Sequence, residues 1–204
     1  QGKRMKIQAV IFDLGNVLIQ YDTGIFIKGF MQLSGKPRKV VVDAFLSAYS
    51  GRFDTGESSA RTFYEELNSG LEMNVSFEEF KKVYCDIFFE RKEFKNAALE
   101  INSRYRTAVL SNTDILHHQF ITDQFPWVLN IPNWFVSYEM GCLKPDNEIY
   151  DKTLKAMGGL KPEETLFIDD RIENIEGAQA FGLKTIHFTQ TDEVIQQLKE
   201  MKVL

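Results

Sequence analysis

Only two of the 204 residues are cysteine, Cys85 and Cys142. Two isolated thiols supply neither a disulfide framework nor the paired spacing of a metal site, so both read as inert thiols of a reducing cytoplasm. Long apolar runs are missing too. Ala9-Val-Ile-Phe12 stops at Asp13, far short of the roughly 18 residues of a bilayer span and too short for a signal-peptide core. Positive charge is scarce: 24 Lys and Arg against 29 Asp and Glu leave a formal net charge of −5, with no basic block. Phosphate neutralisation supplies most nucleic-acid affinity, so no such partner is expected. There is no internal repeat and no low-complexity tract. What is present, 44% hydrophobic and 26% charged residues of both signs, suits one soluble globular unit and excludes a disordered chain. The chain starts at Gln1 rather than Met, as a trimmed N-terminus or tag remnant would, so Gln1–Arg4 are set aside from fold reasoning.

Both ends of the chain alternate strand-like and helix-like patterns. Ile7 to Phe12 is short, β-branched and apolar on both faces, the pattern of a fully buried strand. Thr107–Leu110, Trp134–Val136, Thr165–Ile168 and Lys184–Phe188 repeat it. Helical spacing runs over Asn147–Met157, stopped by Gly158-Gly159, over Ile172–Phe181, stopped by Gly182, and over Glu193–Met201. Strands joined through helices imply parallel pairing, hence an α/β fold: a Rossmann-like open parallel sheet flanked by helices. From about Thr23 to Glu93 the strand signal disappears. Phe77, Phe80, Tyr84 and Ile87 keep helical spacing, and Ser76-Phe-Glu-Glu79 has the capping-box form. Val41, Phe45 and Tyr49, then Phe63 and Leu67, are spaced i, i+4. This segment is a small all-helical insertion after the first strand, divided by turns at Ser34-Gly-Lys-Pro37 and Gly51–Gly56.

In open α/β sheets ligands bind beyond the carboxyl ends of the strands. The first predicted strand ends at Asp13, the second at Ser111-Asn-Thr-Asp114 and the fourth at Asp169-Asp170, while Lys144 stands just before a helix start at Pro145. Each has an ordinary reading: strand-end turn, helix N-cap, solvated lysine. Together they supply a nucleophile, hydroxyl and amide donors, a cation and an acidic pair on successive strand ends. That set suits phosphoryl transfer. A carboxylate attacks phosphorus, Asp13 and Asp170 offer hard oxygens to Mg²⁺, Lys144 adds fixed positive charge, and Ser111 with the following amides holds phosphate oxygens.

Phe12-Asp-Leu-Gly-Asn-Val17, Leu110-Ser-Asn-Thr113, Gly141-Cys-Leu-Lys-Pro-Asp146 and Phe167-Ile-Asp-Asp-Arg-Ile-Glu-Asn-Ile-Glu-Gly-Ala178 resemble the four ordered motifs of the haloacid dehalogenase (HAD) superfamily, over residues 6–188. The insertion resembles that superfamily's helical C1 cap, which gives a core of residues 1–19 and 95–204 and a cap of 20–94. The resemblance implies a Mg²⁺-dependent phosphatase of small phosphorylated metabolites. Asp13 would be nucleophile and metal ligand, Ser111, Asn112 and Lys144 would hold phosphate, and Asp170 would ligate the metal. The Gly15 carbonyl would complete the metal site, and Asp169 would support it by orienting Lys144 or a metal-bound water, with Asn174 nearby.

One position departs from the pattern. Phosphatases of the family usually carry a second aspartate two residues after the nucleophile, as acid and base for the leaving group; here stands Gly15. A positioned acid or base is worth about 10²- to 10⁴-fold. Its loss hurts esters of ordinary alcohols most and an anomeric phosphate less, and Phe-Asp-Leu-Gly-Asn-Val resembles the bacterial α-glucose-1-phosphate phosphatase branch. Three alternatives stay open: a metal-independent haloacid dehalogenase, a catalytically weak phosphate-binding protein, and a response-regulator receiver, whose acidic pair should instead follow the first strand. In the insertion, the glycine-flanked polar loop Gly51-Arg-Phe-Asp-Thr-Gly56 is expected to bring Arg52 or Asp54 to the substrate, with Tyr21 and Asp22 as a hinge. His117 and His118, adjacent on a helix, are expected on a solvated face, and Trp127 and Trp134 are expected to pack.

Overall fold

The computed structural model describes residues 6–204, so Gln1–Arg4 lie outside the described residues. The chain opens with β1 (Ala9–Phe12), which is buried on both faces: Val10 and Phe12 enter one core, Ala9 and Ile11 another. After β2 (Ile19–Tyr21) come α1 (Thr23–Ser34), α2 (Arg38–Tyr49), α3 (Ala60–Gly70), α4 (Phe77–Cys85) and β3 (Phe88–Glu90). Then follow α5 (Lys92–Asn102), β4 (Arg106–Ser111), α6 (Ile115–Gln124), β5 (Asn133–Val136) and α7 (Ser137–Met140). The chain closes with α8 (Asn147–Ala156), β6 (Thr165–Asp169), α9 (Ile172–Phe181), β7 (Lys184–His187) and α10 (Thr191–Glu200).

Five strands form one sheet in the order β5-β4-β1-β6-β7, every neighbouring pair parallel. Phe94 and Ile101 of α5 and Val194 and Leu198 of α10 close the core on one face. Ile149 and Leu154 of α8 with Ala178 of α9 close it on the other. This is the α/β sheet expected from the sequence, with its strands in the expected places. Parallel pairing turns every strand's carboxyl end toward one edge, so residues far apart in the chain can meet there.

Helices α1 to α4 build a second core of their own around Phe26, Phe30, Phe63, Phe80 and Tyr84. Its rings pack closely; Phe53 and Phe63 stack with centroids 4.2 Å apart. The capping box of α4 forms as read, with Ser76 and Glu79 exchanging backbone and side-chain bonds. One expectation needs correcting: the insertion is not wholly helical. At its root β2 and β3 pair antiparallel, Ile19 opposite Glu90 and Tyr21 opposite Phe88. Strands of three residues are too short to show alternation, and their pairing depends on a partner some seventy residues away, beyond any local signal. Asp22 caps α1 by accepting a bond from the Gly24 amide. Among the described residues no helix is long and apolar enough to cross a membrane.

Candidate active site

The sheet's carboxyl edge gathers the strand-end residues. Asp13 follows β1, Ser111 ends β4, Asp169 ends β6 with Asp170 next, and Lys144 enters from the loop between α7 and α8. A cavity of about 260 Å³ opens there, walled by Asp13, Ser111, Asn112, Lys144, Asp170 and Asn174 on the sheet side. Lys144 is the hub. Its Nζ, almost wholly buried, donates to Asp13 Oδ1 at 2.8 Å, to Asp169 Oδ2 at 2.6 Å and to the Leu110 carbonyl at 2.9 Å. Burial alone would lower the lysine's pKa, but the two carboxylates outweigh it and hold the ammonium charged. Asp13 shows the converse. Burial pushes its carboxyl up, Lys144 pulls it down, Asp169 and Asp170 push again, and the result is about 7.

Asp13, Asp169 and Asp170 each place one oxygen so that all three lie within 4.8 Å of one another. The one lysine pairs with two of the three carboxylates, Asp13 and Asp169. The set therefore carries more negative charge than it neutralises, and its hard oxygens are the donors a small divalent cation takes. Asp170 is half-buried and receives the Asn16 amide at 3.2 Å. Asp169 is fully buried and accepts Lys144, the Arg171 backbone amide at 2.8 Å and Asn174 Nδ2 at 3.0 Å. Its Oδ2 holds the Lys144 ammonium, and Asn174 holds both of its oxygens.

Asn112 stands on the cavity wall, and its side chain clamps the Lys144 backbone, donating to its carbonyl at 2.9 Å and accepting its amide at 2.8 Å; one other expected contact falls elsewhere. A primary amide matches a backbone amide pair so well that the side chain is spent there. Arg52 is turned outward and forked onto Glu66 of α3, at 3.1 and 3.0 Å, and is not part of the cavity wall. A bidentate carboxylate on the next helix captures the guanidinium. Its loop neighbour Asp54 does reach the cavity wall.

Other residues stand differently from their reading in the sequence. A Cβ on Gly15 would meet the Tyr21 ring at 2.7 Å, so that ring stands where a side chain at this position would go. Tyr21 lines the cavity, and burial, then Asp170 and Asp13, raise its phenol pKa. His117 is buried rather than solvated. It stacks on Tyr84 at 4.0 Å, its Nδ1 lies 3.0 Å from Asp114, and its other ring nitrogen meets the Tyr84 carbonyl. His118 is also engaged, against the Tyr138 hydroxyl and the Trp134 ring. Helix α6 is pressed between sheet and insertion, which removes the open face on which adjacent histidines would be hydrated. The Asp114–His117 spacing of three residues was the available signal. Both cysteines are buried free thiols, and Trp127 is buried in the core.

A parallel sheet whose strand ends bring three carboxylates and a lysine into one cleft is a frame suited to a hydrolase. The family model for haloacid dehalogenase-like hydrolases matches residues 7–182, and the chain belongs to that family. It is similar to D-ribitol-5-phosphate phosphatase of Bacteroides thetaiotaomicron, with 26% identity over 88% of this chain and 90% of that one. Sesquiterpene phosphatase astK of Aspergillus oryzae is 25% identical over 95% of this chain and 96% of its own. Among solved structures, a HAD-family enzyme of Bacteroides thetaiotaomicron in complex with magnesium and inorganic phosphate superposes with a TM-score of 0.81. It is 25% identical, and the match covers 89% of this chain and 93% of that one.

Proposed function

We propose that the protein is a Mg²⁺-dependent phosphatase of small phosphorylated metabolites, sugar and alditol phosphates foremost, working through an aspartyl phosphate on Asp13. The observation that carries this reading is the Lys144 ammonium, held between Asp13 and Asp169, beside three carboxylate oxygens within 4.8 Å. Its relatives, two phosphatases by name and one structure holding magnesium and phosphate, support it.

Asp13 and Asp170, with the Gly15 carbonyl, would hold the ion. When bound, Mg²⁺ supplies the positive charge that offsets repulsion between the Asp13 carboxylate and a phosphate dianion. Asp13 then forms an oxygen–phosphorus bond as the ester oxygen departs with its electron pair. Lys144, with its three N–H bonds given to Asp13, Asp169 and the Leu110 carbonyl, lends the phosphoryl oxygens its fixed positive charge, and Ser111 with the amides that follow it receives them. Water next attacks the same phosphorus, the Asp13 oxygen–phosphorus bond breaks, and inorganic phosphate leaves. Helices α1 to α4 act as a cap over the cleft, with β2 and β3 as its hinge, and residues 20–94 form that unit.

Gly15 offers no carboxylic acid to the leaving oxygen, and the Tyr21 ring fills the space. Esters whose leaving oxygen is already acidic suffer least, which favours an anomeric phosphate such as glucose 1-phosphate within the class. A second reading has its own support. Phe26, Phe45, Tyr49, Tyr84 and Phe88 make the cap side of the cavity aromatic, which suits a terpenyl phosphate. Phosphate release from sugar, alditol and terpenyl monophosphates, with and without Mg²⁺, tests the reading. Turnover should require Mg²⁺ and should fall by about 10⁴-fold or more in Asp13→Asn. Wild-type rates in that variant would refute the nucleophile.

A further inference from the structure

Outside the acidic cluster and Lys144, the cavity wall carries two charged side chains that the phosphoryl chemistry does not use: Arg171, which is paired with Glu173, and Asp54. Asp54, in the loop between α2 and α3, is only 9% exposed and belongs to the cavity wall, yet its Oδ1 has no hydrogen-bond partner. No ion pair reaches it among the described residues, because the nearby Arg52 is committed to Glu66. Burial raises its pKa, against the pull of the Gly51, Asp54 and Arg52 main chains. Its surroundings on the cap side are otherwise aromatic rings, and the main-chain groups of its own loop still leave Oδ1 without a hydrogen bond. A buried acceptor left unmatched is costly, and such a group persists only if something else fixes it or completes it.

The loop is fixed in place independently of the carboxylate. Ser137, at the start of α7, accepts the Thr113 amide at 2.9 Å and reaches the Asp54 carbonyl through the same hydroxyl. Thr113 lies two residues after Ser111, so one buried serine ties the cap loop to the strand end expected to receive phosphate. Gly56 adds to this. It has φ +77°, and a Cβ there would lie 2.1 Å from the Tyr138 carbonyl, so only glycine lets the loop lie this close to α7. The backbone thus presents Asp54 beside the phosphate site whether or not its side chain is paired.

We infer that Asp54 selects the substrate: its carboxylate accepts hydrogen bonds from hydroxyl groups of the organic part of a phosphate ester and thereby disfavours purely apolar esters. This rests on the phosphatase reading and decides between its two substrate classes. An alditol or sugar chain carries donors that can complete Asp54, and its carbon–hydrogen faces can lie against the Phe45 and Tyr49 rings. A terpenyl chain matches the rings equally well but leaves the carboxylate desolvated and unmatched. Polar sites discriminate strongly against partners that leave them unpaired.

The test compares wild type with Asp54→Asn, Asp54→Ala and Asp54→Leu on three probes in Mg²⁺: ribitol 5-phosphate, farnesyl monophosphate and p-nitrophenyl phosphate. The readout is the ratio of kcat/KM values between probes, with melting temperature as the check on folding. Wild type should prefer ribitol 5-phosphate to farnesyl monophosphate. That ratio should fall about 10- to 100-fold in Asp54→Ala, mostly through KM, and about as far or further in Asp54→Leu. The isosteric Asp54→Asn should lie between, and it carries the test alone if the others fail to fold. A ratio within threefold of wild type in the folded variants overturns the inference, as does an equal loss on all three probes, which would mark Asp54 as a structural prop. A wild type that prefers farnesyl monophosphate also overturns it while leaving the phosphatase reading intact. No Mg²⁺-dependent turnover of any probe removes that reading, and this inference with it.

Discussion

The two halves of the cleft are built on opposite terms. On the sheet side the buried charged groups are hydrogen-bonded: Lys144 has three acceptors, Asp169 accepts from Lys144, Arg171 and Asn174, and Asn112 holds the lysine's backbone. On the cap side the wall is mostly aromatic and its one reaching carboxylate is incomplete. The difference separates two tasks. Phosphoryl chemistry needs charges fixed before substrate arrives, because reorganising them during reaction raises the barrier. Selection among substrates needs the reverse, a group that only the right organic moiety can complete.

Removing the hub should break the contrast most severely. Lys144→Ala leaves Asp13 and Asp169 buried without their cation, a change that typically costs about 3–5 kcal/mol of stability. Turnover should fall by about 10²- to 10³-fold as well. Urea unfolding and steady-state kinetics on one preparation check both, and stability within about 1 kcal/mol of wild type would contradict the account.

The cap should respond differently to a cut of similar size. Phe63, fully buried among Phe45, Phe53, Phe80 and Tyr84, anchors that core, and Phe63→Ala should cost about 3–5 kcal/mol. Hydrogen exchange should show lost protection in α1 to α4 while β1, β4 and β6 keep theirs. Uniform loss across both regions would show that sheet and cap open as one unit.

The smallest expected effect is titrimetric and sharpens the sheet side alone. Asp13 in the folded protein holds its proton to about pH 7, well above the ordinary 3.8. The metal-free fold therefore binds a proton that the unfolded chain has released, so its stability from this group declines as pH rises from about 4 to about 7. A divalent ion competes with that proton. Mg²⁺ affinity should rise by up to about tenfold per pH unit below about 7 and flatten above it. Calorimetry near pH 6 in buffers of different ionisation enthalpy should register proton release. Its absence would mean that Asp13 is already ionised without metal.

How legible these features were follows their range in the sequence. Asp13, Ser111 and Asp169 could be read because parallel strands put their ends on one edge, and Lys144, in a loop, because a lysine stands just before a proline and a helix start. The ribbon β2–β3 could not, since its pairing joins Ile19 to Glu90. Arg52 was misread for a related reason: its loop announces polarity, while Glu66, which captures it, sits on the next helix. His117 looked hydrated until α6 was seen packed against the insertion. The Tyr21 ring beside Gly15 and the Ser137 link to Asp54 are likewise contacts between elements. Local pattern located the strand-end cluster; the groups packed around it depend on tertiary neighbours.

The central claim is covalent attack by Asp13, and trapping the intermediate tests it most directly. Protein turning over substrate in Mg²⁺ should be quenched in acid, digested and weighed by mass spectrometry. The account predicts one added phosphoryl group on the peptide containing Asp13, absent in Asp13→Asn and absent without Mg²⁺. Steady turnover with that peptide never modified, or with the phosphoryl group on another residue, would contradict it.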